Sequence, residues 1–525
     1  MNKNNKTFFI STPIYYPSGK PHIGHAYSTL LCELIAEYKK LIGYDVFFLT
    51  GTDEHGQKLE LSAQANNMNP QEYVDKMAIV FEKLWKNLGI KYDWFVRTTD
   101  KYHVETVQKV FSILIKKGFI ELGTWKGLYC ISCEENYTKT NAIKKEDNNL
   151  YCVQDHILKE KFEESYFLKV SLFHKWIKDF LTKNKDFIYP ENRAKELINN
   201  FLEDGEFEDL SVSRSTFTWG IQIKENPKHV IYVWIDALLN YISALGYLQK
   251  KDSKYKKFWD NPYGQRVHVM SKEITRFHCI YWPIILKMLD LPLPTKIISH
   301  GWIITKTGKM SKSKGNVLDP NYFIETYGRD VFRYFLAKEI SLKEDSTFSE
   351  ELLVSINNSD LANNYGNLIN RTIGLLKKYS DNIVPKHNNE LANKHFKNII
   401  EYANTFVTKA NKPIENCQVS DLLFLVVDFE SQINLFIENS KPWNLAKKSK
   451  IDVLNCFLSV LTNLVKIMIF YMQPVLIDGS VKAISQLNLN ENILNINKIS
   501  NYSSLDNHKV NDAKIIYSRI EKKDN

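Results

Sequence analysis

The first fifty residues contain two continuous apolar runs, and the segment between them has apolar residues at helical spacing. Residues 8–10 predict a short buried strand, and the apolar run at residues 44–50 predicts a second strand. Between them, apolar residues recur every three or four positions from Tyr27 to Leu41, which is the spacing of one helix face. A helix between two strands favours an α/β fold with a parallel sheet.

Later segments add one more strand and a long helical region. The apolar run at residues 230–241 predicts a further strand, and Ile274, His278 and Trp282 follow at intervals of four, as on one face of a helix. Beyond about residue 320, helical spacing at residues 322–337, 360–376 and 422–436 predicts an α-helical domain.

These patterns divide the 525 residues into about three domains, in keeping with ~100–200 residues for a typical domain. We assign an α/β domain to residues 1–117 and 169–345, with an insertion at residues 118–168. An α-helical domain then covers residues 346–485, and residues 486–525 form a polar tail.

The loop after the first strand carries the first candidate chemistry. Residues 11–25 read STPIYYPSGKPHIGH, and their prolines and glycines keep the segment out of regular structure. We therefore expect His22 and His25 at the N-terminus of the next helix, where free amide groups and the helix dipole favour phosphate. Two histidines around a glycine also occur in loops without a function, so this motif needs a second signal.

The second signal is the sequence Lys-Met-Ser-Lys-Ser at residues 309–313. Lys309, Lys312 and Lys314 alternate with small residues between Gly308 and Gly315. Such a cationic loop suits a polyphosphate whose charge changes during a reaction. A lysine-rich surface loop is the alternative interpretation.

An acidic turn, GTDEHG at residues 51–56, follows the second strand. In open α/β sheets, ligands bind beyond the carboxyl ends of the strands, so this turn should border the same crevice as residues 11–25. The acidic cluster could instead cap a helix.

Cysteines inside the insertion have the spacing of a metal knuckle. Cys130 and Cys133 form a C-x-x-C pair, Cys152 supplies a third thiol, and His156 follows it at C-x-x-x-H spacing. Zinc prefers such a tetrahedral set, and four protein ligands leave no position for water, so the ion would be structural. Asp155 is the alternative fourth ligand, and a knuckle without metal is also possible on this pattern.

Composition limits the remaining classes of protein. The chain has 69 Lys and Arg against 60 Asp and Glu, and the resulting net charge of +9 permits a polyanionic partner without requiring one. Seven cysteines, mostly isolated, fit a reducing compartment. We expect a soluble cytosolic protein without a membrane span, since the N-terminus has no apolar signal segment and Asn463 and Lys466 interrupt the apolar segment 457–472.

The HIGH sequence at residues 22–25 and KMSKS at residues 309–313, in this order and separation, resemble the signature of class I aminoacyl-tRNA synthetases. The surrounding residues resemble methionyl-tRNA synthetases over almost the whole chain. This resemblance implies a Rossmann-like catalytic domain, an inserted connective domain with a zinc knuckle, and a C-terminal α-helical anticodon-binding domain. It also implies a monomeric ligase that uses ATP with Mg²⁺ to join methionine to tRNA(Met).

The same resemblance implies roles for individual residues. The catalytic and ATP-binding residues would be His22, Gly24, His25, Lys309, Ser311, Lys312 and Ser313. Methionine would contact Ile14, Tyr16, Asp53, Trp234, Ala237, Leu238, Tyr241, Ile274, His278 and Trp282, with Asp53 at its α-ammonium group and His278 near its sulfur. The anticodon would contact Asn367, Arg371 and Trp443. Trp443 and the pocket aromatic residues could instead be ordinary core residues.

Other nucleotide-binding proteins are the alternatives. Branched-chain class I synthetases need a large editing insertion, because one methylene group discriminates by only ~1–3 kcal/mol, and 525 residues leave little room for it. A cysteinyl enzyme would hold zinc in its active site rather than in an insertion. A small nucleotidyltransferase would lack the helical domain with Pro442 and Trp443, and a non-catalytic tRNA-binding paralogue has no physical need for KMSKS.

Overall fold

Six parallel strands form the central sheet in the computed structural model of the protein. The structure describes residues 6–132, 135–137, 142–145, 147, 149–203, 207–305, 308–309 and 317–521. The strands are β1 (Thr7–Ser11), β2 (Asp45–Thr52), β3 (Trp94–Arg97), β4 (Ile188–Tyr189), β5 (Gln265–Ser271) and β6 (Lys296–His300). Their order across the sheet is β3-β2-β1-β5-β6-β4, and each neighbouring pair is parallel. The predicted α/β fold with a parallel sheet is confirmed.

Alternating side chains of β1 enter two different cores. Phe8 and Ile10 belong to a core that continues into the helical domain, whereas Phe9 belongs to the core on the other face of the sheet. This division follows from strand geometry, since successive side chains point to opposite faces. The sheet is therefore covered on both faces, as a parallel sheet requires.

Helices cover the sheet and connect its strands. The α-helices of this part are Ile23–Leu41, Gln57–Ala65, Pro70–Leu88, Lys101–Lys116, His174–Lys183, Asn192–Phe201, Val233–Leu238, Asn240–Ser243, Trp282–Met288, Pro320–Tyr327 and Arg329–Glu339. We call Ile23–Leu41 the first helix and Val233–Leu238 the pocket helix. The predicted strand at residues 230–241 is wrong beyond Ile231, because the strand Asn226–Ile231 ends there and the pocket helix begins two residues later.

The insertion consists mainly of antiparallel strands. Strand Ile120–Cys130 pairs with strand Lys159–Leu168 along nearly its whole length, and the short strand Glu135–Tyr137 extends the pair on one side. A smaller pair, Ile143–Lys144 with Leu150–Tyr151, stands beside it. Cys130 is the last residue of strand Ile120–Cys130, and Cys152 directly follows strand Leu150–Tyr151.

The C-terminal part is helical, as the apolar spacing predicts. Its α-helices are Glu350–Ile356, Asn367–Ser380, Asn389–His395, Lys397–Glu415, Val419–Ser440, Pro442–Lys447, Ile451–Met472 and Ile477–Gln486, and a π-helix spans Asn357–Gly366. Helix Ile451–Met472 is long and apolar enough to cross a membrane, but 89% of its most apolar stretch is buried within the protein. It has the surroundings of a core helix.

A buried ion pair joins the first helix to helix Arg329–Glu339. Arg333 donates to Glu33 Oε2 at 2.8 Å, and the two side chains are 0% and 1% exposed. The same guanidinium donates to the carbonyl oxygens of Leu88, Pro474 and Val475 at 2.7–3.0 Å. One side chain therefore connects four segments of the chain.

Residues beyond 486 pack onto the helical domain. Leu487, Ile499 and Leu505 are buried in its core. The buried ammonium group of Lys466 donates to Asn463 Oδ1, the carbonyl oxygen of Asn501 and Ser504 Oγ at 2.8–3.0 Å. Lys466, which interrupts the apolar segment in the sequence, therefore binds the C-terminal segment to the core.

Candidate functional site

The carboxyl ends of β1, β2, β5 and β6 open onto a cavity of about 470 Å³. The HIGH loop forms one side of it, and Asp53, directly after β2, forms another. The pocket helix and the segment after β5 complete the wall. The sequence-based expectation that residues 11–25 and the acidic turn border one crevice agrees with this geometry.

Both histidines of the HIGH loop line this cavity at the start of the first helix. His22 is the N-cap residue, and its Nδ1 accepts a hydrogen bond from the Gly24 amide at 3.1 Å. The His22 amide in turn donates to His25 Nδ1 at 3.0 Å. Since each Nδ1 accepts, each neutral imidazole carries its proton on Nε2. The helix thus begins with two ring N–H groups suited to phosphate oxygens.

Gly24 is required by the closeness of these rings. A Cβ atom at this position would lie 2.9 Å from His22 Cε1, which is closer than side chains pack. Any larger residue would push the His22 ring out of its capping position.

Apolar and aromatic residues form the deeper wall of the cavity. These predicted methionine-binding residues line it: Ile14, Tyr16, Trp234, Ala237, Leu238, Tyr241, Ile274 and His278. The Trp234 ring stacks on Phe277, with ring centroids 3.8 Å apart. Trp234, Ala237, Leu238 and Tyr241 have intervals of three, one and three, a helical signal that an interpretation as a strand overlooks.

Trp282 occupies a different position from the one its spacing predicts. It is fully buried, its indole N–H donates to His268 Nε2 at 3.2 Å, and among the described residues the cavity wall includes Tyr241 but not Trp282. The physical reason is a π-helix at Phe277–Tyr281. A π turn contains more residues than an α turn, so the four-residue interval from His278 no longer keeps Trp282 on the same face.

His278 is an uncharged member of this wall. Its Nδ1–H donates to the carbonyl oxygen of Ile274 at 3.0 Å, and its Nε2 accepts from the Tyr241 hydroxyl at 2.7 Å. Burial lowers the pKa of His278 to about 4. The apolar wall therefore presents no charge at neutral pH.

The segments after β5 and β6 contribute residues that the sequence analysis did not select. Glu273, His300, Gly301 and Trp302 line the cavity. Trp302 Nε1–H donates to Glu273 Oε2 at 2.6 Å, and His300 Nε2 lies 2.7 Å from Ser28 Oγ on the first helix. Their position after the carboxyl ends of two site-forming strands is the signal that could have identified them.

The KMSKS segment begins at the edge of the described structure. Lys309 lies in strand Gly308–Lys309, which pairs with strand Ile303–Thr305 beside the cavity. Ser311, Lys312 and Ser313 lie outside the described residues.

The knuckle brings three predicted ligands together. Ligand atoms of Cys130, Cys152 and His156 all lie within 4.8 Å of one another, and both thiols are buried. The amides of Gln154 and His156 donate to Cys152 Sγ at 3.3 Å, which favours a thiolate. Asp155 instead forms an ion pair with Lys145. Cys133 lies outside the described residues.

The three predicted anticodon residues lie on helices of the C-terminal part. Asn367 is exposed at the start of helix Asn367–Ser380, and Arg371 on the same helix donates to Asn434 Oδ1 at 3.1 Å. Trp443, on helix Pro442–Lys447, is 42% exposed. An exposure this large contradicts the alternative in which Trp443 fills the core.

A parallel sheet whose first helix begins with HIGH, together with a downstream KMSKS sequence, defines a class I aminoacyl-tRNA synthetase. The family model described as tRNA synthetases class I (M) matches residues 8–146 and 145–373. The chain belongs to this family, the methionyl branch of the class.

Individual relatives agree along nearly the whole chain. The methionine–tRNA ligase of Ureaplasma parvum is 48% identical over 98% of both chains. That of Bacillus subtilis is 42% identical over 99% of this chain and 79% of its own length. The structure of Mycobacterium tuberculosis methionyl-tRNA synthetase in complex with methionyl-adenylate superposes with a TM-score of 0.91 at 30% identity, covering 98% of this chain and 100% of that one.

We predict that His278 stays neutral from pH 8 to pH 5, since burial lowers its pKa to about 4. Its imidazole resonances, identified by their loss in His278→Asn, should then not move over this range in protein labelled at histidine. A histidine-containing model peptide, which titrates near pH 6.5, is measured alongside as the reference. A titration midpoint between pH 6 and 7 for the His278 signal would contradict the neutral wall.

Proposed function

We propose that the chain is a methionine–tRNA ligase, which forms methionyl-adenylate from methionine and ATP and then passes the methionyl group to the 3′ end of tRNA(Met). The observation that carries this proposal is the single cavity in which the HIGH histidines, Asp53 and an uncharged aromatic wall meet. The relatives' names and the adenylate complex of the M. tuberculosis protein support the same reaction.

The first step needs no side chain as nucleophile. The carboxylate of methionine attacks the α-phosphorus of ATP, and the bond from that phosphorus to the pyrophosphate oxygen breaks. The protein contributes positioning and charge stabilisation. The Nε2–H groups of His22 and His25 donate to the phosphates, and Lys309 and Lys312 neutralise the departing pyrophosphate. Magnesium enters with ATP as part of the substrate.

Asp53 and the aromatic wall select the amino acid. The carboxylate of Asp53 pairs with the α-ammonium group of methionine. The uncharged wall of Trp234, Tyr241 and His278 surrounds the thioether, which is itself apolar and polarisable. A side chain carrying a charge would lose its hydration in this wall without gaining a partner.

The test is ATP–pyrophosphate exchange with each of the twenty amino acids. We expect strong exchange with methionine and with close thioether or straight-chain analogues, because these fill the uncharged pocket without leaving a polar group unpaired. A preference for cysteine or valine would exclude the proposal in favour of another class I synthetase. Absence of exchange with every amino acid would favour a non-catalytic tRNA-binding paralogue.

We also propose a structural zinc ion in the knuckle. Cys130, Cys152 and His156 fit three corners of a tetrahedral site, and Cys133 has the sequence position of the fourth ligand. The ion, when bound, would crosslink the two ends of the knuckle. Ser132 and Gln154 of this knuckle line the cavity, and Lys58 Nζ donates to the carbonyl oxygen of Ser132 at 3.1 Å.

Purified protein should contain about one equivalent of zinc by elemental analysis, and Cys152→Ser should lose it together with thermal stability, since thiolates fold the knuckle around the ion. Cys456→Ser is the matched control, because Cys456 is also a buried thiol but belongs to the helical part. Zinc content that is equal in both variants would show that Cys152 is not a ligand.

Recognition of tRNA(Met) is the second function we assign to the chain, through the helical part. Trp443 offers an exposed ring on which an unpaired anticodon base can stack, and Asn367 and Arg371 offer hydrogen-bond donors. Stacking of this kind contributes roughly 1–3 kcal/mol per base.

Trp443→Ala should therefore lower kcat/KM for tRNA charging by about 5- to 150-fold and leave pyrophosphate exchange unchanged, because the exchange reaction involves no tRNA. The matched control is Trp94→Ala, since Trp94 is 40% exposed but lies in β3 of the α/β part. Equal kcat/KM for tRNA charging in the two variants would show that Trp443 does not take part in tRNA recognition.

A further inference from the structure

A buried carboxylate behind the cavity binds two histidines from different elements. Asp236 of the pocket helix is 0% exposed. Its Oδ2 lies 2.7 Å from His55 Nδ1, and its Oδ1 lies 2.7 Å from His103 Nε2. His103 continues the network, because its Nδ1 lies 2.7 Å from Ser243 Oγ. We call these residues the His55–Asp236–His103 network.

Asp236 acts as the acceptor in both contacts. Burial on its own raises the pKa of Asp236, but attraction to His55 and the hydrogen bonds from both histidines outweigh burial and hold that pKa below its usual value. An ionised carboxylate accepts only, so both histidine nitrogens donate. Each carboxylate oxygen is therefore engaged by a ring N–H group.

This network connects the acidic turn to the pocket helix, and its own residues do not line the cavity. His55 stands two residues after Asp53 in the acidic turn, and neither His55, His103 nor Asp236 is among the described lining of the cavity. Asp236 stands two residues after Trp234 and directly before Ala237 on the pocket helix, whose residues form the apolar wall. His103 anchors the same carboxylate to helix Lys101–Lys116.

Neither the acidic turn nor the pocket helix is positioned by regular secondary structure alone. The pocket helix is six residues long and has no side-chain hydrogen bond at its N-cap, so its placement depends on tertiary contacts. The acidic turn is held at other points by backbone bonds, from Asp53 N to the Tyr15 oxygen at 2.9 Å and from Gly56 N to the Trp219 oxygen at 3.0 Å. The bond from His55 to Asp236 connects the turn directly to the pocket helix.

We propose that the His55–Asp236–His103 network fixes the separation between Asp53 and the apolar wall, and so sets the length of the amino-acid side chain that the site accepts. This inference rests on the proposed function, in which Asp53 binds the α-ammonium group and the wall binds the thioether. The three residues act as positioning residues, since they do not contact the substrate. A buried charge with both oxygens engaged suits this role, because displacement of either histidine leaves one buried carboxylate oxygen without its donor.

Selectivity for the length of the amino-acid side chain distinguishes a positioning role of the network from a role in stability alone. Ethionine is one methylene group longer than methionine, and a well-placed pocket discriminates one methylene group by about 10- to 200-fold. Loss of stability alone lowers the amount of active enzyme but leaves the ratio of kcat/KM for methionine over ethionine unchanged. A shifted wall changes that ratio.

The experiment compares this ratio, measured by pyrophosphate exchange on the full chain, in matched variants. His55→Leu removes the donor, whereas His55→Asn places an amide N–H where Nδ1 stands. Asp236→Asn replaces one acceptor oxygen by a donor. Glu33→Gln is the control, because it neutralises an equally buried carboxylate that also has a basic partner but lies away from the cavity.

We expect the methionine-to-ethionine ratio to fall by about fivefold or more in His55→Leu and Asp236→Asn. We expect kcat/KM for methionine to fall on the order of 10²-fold in the same two variants. His55→Asn and Glu33→Gln should keep the ratio within about twofold of the wild type. If Asp236→Asn does not fold, the comparison of His55→Leu with His55→Asn decides the question, since His55 is less deeply buried than Asp236.

An unchanged ratio in His55→Leu overturns the proposal, even if total activity falls. A ratio that falls equally in His55→Leu and His55→Asn also overturns it, because the N–H group would then be irrelevant. These outcomes leave the proposed function intact as long as the wild-type chain exchanges with methionine. Absence of exchange in the wild type would instead refute the proposed function and, with it, this inference.

Discussion

The buried side chain of Arg333 links the first helix to the helical part, because it pairs with Glu33 and also donates to the carbonyl oxygens of Pro474 and Val475. Burial raises the pKa of Glu33, and the guanidinium of Arg333 opposes that rise. Loss of either partner would leave a buried charge, which typically costs 3–5 kcal/mol, so the pair resists separation. Glu33 lies in the middle of the first helix, whose N-terminus carries His22 and His25. The same contacts therefore connect the helical part to the body of the helix that begins with these two histidines.

A second charged contact supports the same helix nearer its C-terminus. The fully buried ammonium group of Lys39 lies 2.7 Å from Glu415 Oε2, and it also lies over the rings of Phe8 and Tyr44. These contacts of Glu33 and Lys39, at two positions along the first helix, prevent the helix from sliding along its axis. Catalysis by positioning depends on such rigidity, since the reacting groups must be held close to their productive geometry.

Much of the site could be predicted from the sequence because its residues lie on short continuous segments. His22 and His25 follow a strand and stand at the start of an amphipathic helix, so local pattern alone predicts their place at a helix N-terminus. Asp53 follows a strand in the same way. These positions depend only on chain order and on the rule that ligands bind at the carboxyl ends of parallel strands.

Other parts depend on interactions that local pattern does not record. A strand and a short buried helix give the same apolar run, so the strand predicted at residues 230–241 is wrong beyond Ile231. The π-helix at Phe277–Tyr281 has no simple compositional signal, and it moves Trp282 away from the cavity. Asp236, His55 and His103 are far apart in the chain, so only the folded structure shows that they meet. The polar composition of residues 486–521 likewise gives no sign that Lys466 binds them.

The hydrogen bond that Tyr241 donates to His278 has a consequence for methionine whose sulfur has been oxidised. The His278 N–H group is already donated to Ile274, and the Tyr241 hydroxyl proton is donated to His278. An oxidised thioether carries a strongly polar oxygen, for which these two side chains have no donor left. Burial of that oxygen would cost free energy that the intact thioether does not lose. With the thioether against this wall, as we propose, the pocket would favour reduced over oxidised sulfur in methionine.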